Sequence, residues 1–257
     1  MAGYIELTTT DLLISTMLVV IAGGISVALR LGLVKSLAIA AVRCVAQLGM
    51  IGLILKYIFT LQSPLLVIGW LLVMLFFASR EVVRRSKHGY DGLRMDAFLT
   101  MSIAAITVGS IVTQAVIKVI PWYDPQYLIP VFGMIFGNSL NGISLALDRF
   151  LEHLKSRRQE VELLLAFGAT RSEALEQAAR ESVRTGMMPI INNMSVAGIV
   201  SLPGIMTGQI VAGVSPLQAV TYQIVIMFMI SASCAIGSMT ILWLAGRKML
   251  GDFGLKI

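Results

Sequence analysis

The chain alternates between long apolar runs and shorter polar segments. Several runs are about 20 residues long, which is the length that a helix needs to cross the hydrocarbon core of a membrane. We predict spans at about residues 11–29, 36–59, 64–79, 97–119, 126–147, 188–212 and 217–246. The pattern therefore predicts an all-α, polytopic membrane protein with about seven transmembrane helices, forming a single transmembrane domain over residues 1–257.

One polar segment, residues 148–187, is longer than the others and has a helical pattern of its own. Its first helix is expected to continue the fifth span as far as Phe167, and Gly168 follows where glycine often ends a helix. Thr170 and Glu173 have the spacing of a capping box, so a second helix is expected to begin near Arg171. Small residues at helical spacing form one face of this helix: Leu175, Ala178, Ala179, Ser182, Val183 and Gly186.

The residues alone leave two interpretations of this segment open. It is either a solvated helical loop without a partner or a docking element for a soluble protein. In the second case its small face packs on neighbouring spans and its charged face meets the partner, with arginine as an anchor. The residues on the charged face are Arg171, Glu173, Glu176, Arg180, Glu181 and Arg184.

The distribution of basic residues predicts the orientation of the chain. Among the 20 Lys and Arg residues, Lys56 and Lys118 lie on one side and Arg43 lies within a span. The other basic residues fall in loops on the opposite side, which marks that side as cytoplasmic. We therefore expect the N-terminus outside, the C-terminus in the cytoplasm, and a net charge of +6 that reflects topology and not binding to nucleic acid.

Composition and missing motifs narrow the function classes. Only 13% of the residues are charged and the mean hydropathy is +0.85, whereas soluble proteins carry about 25% charged residues. The sequence contains neither a G-x-x-x-x-G-K-[ST] phosphate loop nor an HExxH zinc motif, so the chain is not expected to be an enzyme or to hold a cofactor. If ATP drives it, another chain binds the ATP. Cys44 and Cys234 lie in apolar runs and are expected to be packing residues.

Polar residues inside the predicted spans are rare, and each is a candidate functional residue. Arg43 and Gln47 share one face of the second span, and Asn138 and Asn141 lie three residues apart on the fifth. Arg43 either packs against backbone carbonyls or binds an anionic group. The asparagines either tie helices together or line a substrate pathway.

The sixth span is expected to break at Leu202-Pro203-Gly204. A break frees backbone groups, which are tolerated at membrane depth only inside protein or beside a water-filled cavity. Transporters often place binding sites at such breaks. The remaining pathway candidates near it are Met206, Thr207, Gln209 and Gln223. The predicted spans offer no deep Asp, Glu or His, so any metal ligands are unknown.

Several stretches resemble one transporter family. The order from Glu162 through Phe167-Gly168-Ala169 to Pro189 is similar to the coupling segment of ABC-transporter permeases. PVFGMIFGNSLNGISLALDR at 130–149 and NNMSVAGIVSLPGIMTGQIVAGVSP at 192–216 extend the likeness over nearly the whole chain. Together they resemble the FetB family, the permease subunit of a bacterial iron-export ABC transporter, with plant relatives in aluminium tolerance.

The resemblance implies a multi-pass permease of the bacterial inner membrane that pairs with a separate ABC ATPase, as two permeases with two ATPases. Its expected role is ATP-driven export of iron, or of an iron complex or organic species, in metal homeostasis and oxidative-stress resistance. The alternative is a stand-alone secondary transporter or channel, although the spans lack the carboxylates expected for ion coupling. The expected ATPase-coupling residues are Glu162, Gly168, Ala169, Thr170, Arg171, Glu173, Arg180 and Arg184.

Overall fold

A computed structural model describes residues 8–86, 88–251 and 254–255, and nearly all of them are helical. The helices are α1 (Thr9–Ala28), α2 (Val34–Leu61), α3 (Pro64–Arg85), α4 (Leu93–Ser110), a π-helical segment (Ile111–Val116), α5 (Pro125–Ser156), α6 (Arg158–Ala166), α7 (Arg171–Val196), α8 (Gly204–Val211) and α9 (Pro216–Met249). Two short strands, β1 (Leu250–Gly251) and β2 (Gly254–Leu255), pair antiparallel. The prediction of an all-α polytopic membrane protein is confirmed.

Six helices in the described part of the chain are long and apolar enough to cross a membrane. They are α1, α2, α3, α4 with its π-helical extension, α5 and α9. The sixth predicted span, at 188–212, is divided between two helices, because α7 ends at Val196 and α8 begins at Gly204. The predicted break at Leu202-Pro203-Gly204 is thus confirmed, and the described residues contain six unbroken candidate spans where seven spans were predicted. The orientation relative to the membrane stays a prediction.

The chain divides into two compact units, Met1–Gln62 and Ser63–Ile257. In the first unit, α1 and α2 pack on each other. The turn between them uses Arg30 and Gly32 at positive φ, and the buried Ser26 hydroxyl accepts a 3.1 Å hydrogen bond from the backbone N–H of Leu33. The expectation of a single domain over 1–257 is not decided by this division and stays a prediction.

In the second unit, α5 is the central helix and packs against α3, α4, α7 and α9. Its large buried side chains include Ile135, Ile143, Leu147 and Phe150. Small residues allow α9 to approach α5 closely. At this contact the hydroxyls of Ser139 and Ser233 are 2.7 Å apart. Hydrogen bonds of this kind between buried helices are expected where no water competes for the donor and acceptor groups.

The polar segment differs from its predicted boundaries in one respect. α7 begins at Arg171, as expected, but the helix that continues the fifth span ends at Ser156 and not at Phe167, because the backbone leaves helical geometry at Arg157 before α6 begins. α7 runs through Pro189 to Val196, so the second helix of the polar segment and the first part of the predicted 188–212 span form one helix. Gly186 and Ile190 are buried on either side of the proline, and this packing holds the helix together although proline removes one backbone N–H. One helix therefore joins the polar segment to the apolar region.

Candidate functional site

The turn between α6 and α7 is fixed by backbone hydrogen bonds. Gly168 has φ +90 at the position after the cap residue Phe167. Its N–H bonds the carbonyl of Leu165, and the N–H of Ala169 bonds the carbonyl of Leu164, each at 3.0 Å. This pair of bonds is a Schellman motif, which satisfies carbonyls that a helix end otherwise leaves open. Gly168 therefore has the helix-ending role predicted from the sequence.

The first turn of α7 carries the predicted capping box. The backbone N–H of Thr170 donates to Glu173 Oε2 at 2.7 Å, and the N–H of Glu173 donates to Thr170 Oγ1 at 3.4 Å. These contacts hold the pKa of Glu173 below its ordinary value, first through the backbone N–H of Thr170 and then through its hydroxyl. The start of α7 is rigid even though Thr170 and Glu173 are exposed.

The small-residue face of α7 packs against α5 and α9, as predicted. Leu175, Ala178, Ser182 and Gly186 are buried on this face, together with Ala174. Ala179 and Val183, which were expected on the same face, are only half-buried. They border an open groove between α7 and α9.

The charged residues of the polar segment form two groups. The first group lies on exposed helix surface and contains two ion pairs. Arg180 pairs with Glu176 at 2.7 Å, and Arg158 pairs with Glu162 at 2.7 Å. Arg171 and Arg184 are exposed as well. Glu181 belongs to the second group because it faces α5.

Glu181 ties α7 to α5. Its carboxylate lies 3.5 Å from His153 Nδ1 and 3.6 Å from an Arg149 guanidinium nitrogen. The pKa of Glu181 is lowered first by the side-chain amide of Gln177 and then by electrostatic interaction with His153 and Arg149. Glu181, which was predicted on the charged face, therefore contacts α5 of the same chain.

An exposed apolar tip on this segment was not predicted from the sequence. Phe167 is 82% exposed and Leu163 is 57% exposed, with Leu164 beside them. Large apolar side chains exposed on a polar segment are typical of a protein-binding surface. The signal was present in the sequence, since these residues interrupt an otherwise polar stretch. We call Leu163, Leu164 and Phe167 the apolar tip.

Asn138 and Asn141 lie on an exposed face of α5. The Asn138 amide donates to the carbonyl of Met134 at 2.9 Å, within its own helix. The side-chain oxygen of Asn141 accepts a hydrogen bond from the guanidinium of Arg85, which also bonds Glu81 at 3.2 Å. Asn141 thus ties α3 to α5, and the structure adds Arg85 and Glu81 to the predicted pair.

The break around Pro203 and Gly204 is a compact loop. The N–H of Gly198 bonds the carbonyl of Ser201 at 2.8 Å, and the hydroxyl of Thr207 donates to the carbonyl of Pro203 at 3.2 Å. The same carbonyl accepts the backbone N–H of Thr207 at 3.0 Å, so both donors of Thr207 bind Pro203 at the start of α8. Met206, next to it, is half-buried.

Gln209 and Gln223 differ from the asparagines because their side-chain oxygens are buried. Neither oxygen has a hydrogen-bond partner among the residues that the structure describes. Gln223 lies ten residues before Ser233, which is level with Ser139 of α5. Ten helical residues correspond to about 15 Å. The pathway candidates of the second unit therefore form two groups, one at Asn138 and Asn141 and one in the α8–α9 region.

Arg43 and Gln47 belong to the first unit. Both are exposed on α2, where neighbouring apolar residues such as Val42 and Leu48 are exposed as well. Their position on one helix face is confirmed, since α2 is helical throughout this stretch. Their role in a pathway stays a prediction.

A buried carboxylate that the sequence interpretation did not single out lies at the start of α4. Asp96 is 2% exposed, accepts a 2.7 Å bond from Lys248 Nζ and accepts a 2.8 Å bond from the Tyr90 hydroxyl. Burial and the Asp96 charge raise the pKa of Tyr90 far above its ordinary value. Across the described ranges, no group of three His, Cys, Asp or Glu side chains could hold a metal ion.

Comparison with known proteins places the chain among membrane proteins. The model of the Uncharacterised protein family (UPF0014) matches residues 9–250. UPF0014 membrane protein slr1647 of Synechocystis is 39% identical over 202 residues, covering 78% of this chain and 77% of the relative. The Escherichia coli protein named Probable iron export permease protein FetB is 33% identical over 245 residues, covering 95% of this chain and 92% of the relative.

A plant relative is also similar. Protein ALUMINUM SENSITIVE 3 of Arabidopsis thaliana is 30% identical over 202 residues, covering 77% of this chain and 71% of the relative. No solved structure matches the chain.

Proposed function

The chain belongs to the UPF0014 family of membrane proteins, and from that premise we propose that it is the permease subunit of an ABC transporter. The similarity to the Escherichia coli protein named as an iron export permease supports a transport role, because it extends over 95% of this chain. In this proposal a separate ATPase subunit binds and hydrolyses ATP, and this chain provides the route through the bacterial inner membrane.

The observation that carries the proposal is the apolar tip. Phe167 stands 82% exposed at a turn whose two helix ends are both capped. Exposed aromatic side chains flanked by arginines are typical anchors of protein interfaces. Arg171, Arg180 and Arg184 lie on the helix that follows Phe167. We assign this surface to the ATPase.

The continuity of α7 supports a mechanical role for the same segment. This helix runs for 26 residues from the capping box at Thr170 to the break after Val196. Its buried face is packed between α5 and α9, so a displacement of the tip is passed directly to the helices of the core. The far end of α7 adjoins the loop at Pro203. In the proposed mechanism, movement of the ATPase tilts α7 and rearranges that loop.

The proposed route for substrate includes the polar face of α5 and the α8–α9 region. Asn138, Asn141 and Arg85 offer amide and guanidinium groups on exposed helix surface. The buried oxygens of Gln209 and Gln223 offer unpaired acceptors. Two copies of the chain would face each other across this route, with two ATPases.

The chemistry of these groups favours iron in a complex, or an organic species, as the exported substrate. Bare iron prefers carboxylate or imidazole ligands. The buried carboxylate of Asp96 is already bound by Lys248 and Tyr90. The carboxylate of Glu81, beside Asn141, is likewise bonded to Arg84 and Arg85. The other groups on the proposed route are amides and the Arg85 guanidinium, which suit polar or anionic molecules. The proposed physiological role is metal homeostasis and resistance to oxidative stress.

Reversal of charge on α7 tests the ATPase assignment. Arg180→Glu with Arg184→Glu should weaken co-purification of the ATPase subunit at least tenfold and leave membrane insertion unchanged. The matched control is Arg84→Glu with Arg94→Glu, which places the same charges on α3 and α4. Equal ATPase recovery from both double variants would remove the docking surface from α7.

A further inference from the structure

A groove lies between α7 and α9, next to the surface assigned to the ATPase, with which it shares Arg171 and Arg180. Its volume is about 950 Å³. The floor is apolar and is formed by side chains from three helices: Phe150, Leu175, Val183, Met239 and Leu242. A groove of this size and polarity is large enough for an amphiphilic small molecule.

One end of the groove is basic. Arg171 and Arg247 line this end, and Arg180 lines the groove about 14 Å farther along α7. The acidic lining residue is Glu176, which is bonded to Arg180. The guanidinium carbon of Arg247 lies 3.8 Å from the centre of the Trp243 ring, so its charge is held over an aromatic face. This end of the groove therefore attracts an anion.

The position of the groove along α9 indicates its surroundings. α9 has 34 residues and is about 50 Å long, which exceeds the 30 Å or so of hydrocarbon in a membrane. Trp243 and Arg247 lie near its end on the predicted cytoplasmic side, where tryptophan and arginine typically meet the lipid headgroups. Met239 and Val183 lie further toward the membrane interior.

We propose that this groove binds one anionic phospholipid. The phosphate lies at Arg247 and Arg171, and an acyl chain lies along the floor toward Val183 and Met239. Basic pockets between membrane helices on the cytoplasmic side are suited to such headgroups. The proposal rests on α9 as a membrane-spanning helix and goes beyond the proposed transport function.

A lipid fits the groove better than a soluble partner does. Met239 is 64% exposed and Trp243 is 55% exposed beside the groove, so its open side continues into apolar helix surface. A soluble ATPase reaches the tip of the polar segment but not a floor at membrane depth. The surrounding bilayer reaches both the floor and the basic end.

Native mass spectrometry of the full chain in mild detergent tests this assignment. The chain is incubated with phosphatidylglycerol or with zwitterionic phosphatidylcholine of the same acyl chains. We expect one phosphatidylglycerol to be retained about fivefold more strongly than phosphatidylcholine. Arg247→Gln should remove that preference, since one arginine near the membrane surface contributes about fivefold to anionic lipid binding. The control Arg84→Gln removes the same charge from α3 and should keep the preference.

A second variant tests the floor separately from the charge. Ala179→Trp fills the groove and should abolish retention of phosphatidylglycerol in protein that still elutes as a single folded species. Equal retention of both lipids by the unmodified chain would overturn the proposal, as would unchanged retention in Arg247→Gln. Displacement of the lipid by inorganic phosphate, or by the co-expressed ATPase, would also overturn it. ATPase co-purification is a separate measurement, so failure of the lipid site is distinguishable from failure of the proposed function.

Discussion

Gly142 of α5 and Gly186 of α7 cross in direct backbone contact. A Cβ on Gly142 would lie 2.7 Å from the carbonyl oxygen of Gly186, and a Cβ on Gly186 would lie 2.6 Å from the carbonyl oxygen of Gly142. Separations under 3.0 Å require one helix to move. This crossing is the point where the helix that leaves the polar segment is held against the core.

The crossing predicts an effect of a single methyl group. Gly186→Ala should destabilise the protein by about 1–3 kcal/mol, the usual cost of overpacking a core. Thermal unfolding in detergent measures this loss. Gly137→Ala is the matched control, because it lies on α5 with no atom within 4 Å of the added Cβ. Equal unfolding temperatures for the two variants would contradict the close crossing.

The buried ion pair at the end of α9 predicts an order of stabilities. Lys248→Met leaves the Asp96 carboxylate, 3% exposed, without its cation, and breaking a buried pair in this way costs about 3–5 kcal/mol. Asp96→Asn should cost less, because the Lys248 side chain is 42% exposed and reaches water. Chemical denaturation measures both, with Asp91→Asn as the exposed control. A larger loss of stability in Asp96→Asn than in Lys248→Met would contradict this account of the ion pair.

The apolar tip predicts a loss of partner binding without a loss of stability. Phe167→Ala should reduce ATPase co-purification about thirtyfold or more, since an aromatic interface anchor contributes about 2 kcal/mol or more. Its own unfolding temperature should change little, because Phe167 is 82% exposed. Phe228→Ala is the control, since Phe228 is 61% exposed on α9, a membrane-spanning helix. Similar ATPase recovery from both variants would exclude the tip as an anchor.

The polar face of α5 predicts a transport defect. Asn141→Leu removes the acceptor for Arg85 and should lower export of substrate from intact cells, while assembly with the ATPase persists. Gln126→Leu makes the same type of change at the outer end of α5 and should leave export unchanged. If Asn141→Leu instead prevents recovery of folded protein, Asn141 acts only to tie α3 to α5.

The capping box predicts a pH dependence. The pKa of Glu173 is lowered from 4.5 in the folded chain, so its stabilising contribution is fully present above pH 4.5. That contribution is lost as the pH falls through the lowered pKa. The difference in unfolding temperature between the native chain and Glu173→Gln should therefore be largest near pH 7 and vanish in acid. A difference that grows toward low pH would contradict the cap.

Local patterns allowed much of the polar segment to be predicted. The Gly168 turn, the Thr170–Glu173 capping box and the small face of α7 each depend on residues close in sequence, and each is present. The break at Pro203 was predictable for the same reason, because proline and glycine act on the backbone locally.

Features that depend on tertiary contacts could not be predicted from the sequence. Asp96 and Lys248 are 152 residues apart, and the sequence gives no sign that they pair. Arg85 and Asn141 are on separate helices, so their bond could not be inferred from spacing. The helix that continues the fifth span was expected to reach Phe167 but ends at Ser156, and nothing in the local sequence marks the break at Arg157.

The central claim is that this chain works with a separate ATPase, and affinity purification of the intact chain from native membranes tests it most directly. The account predicts that an ATPase subunit with a phosphate-binding loop co-purifies in stoichiometric amount and is lost from the Phe167→Ala variant. Reproducible recovery of the folded chain without an ATPase would contradict the account and favour a carrier that works alone.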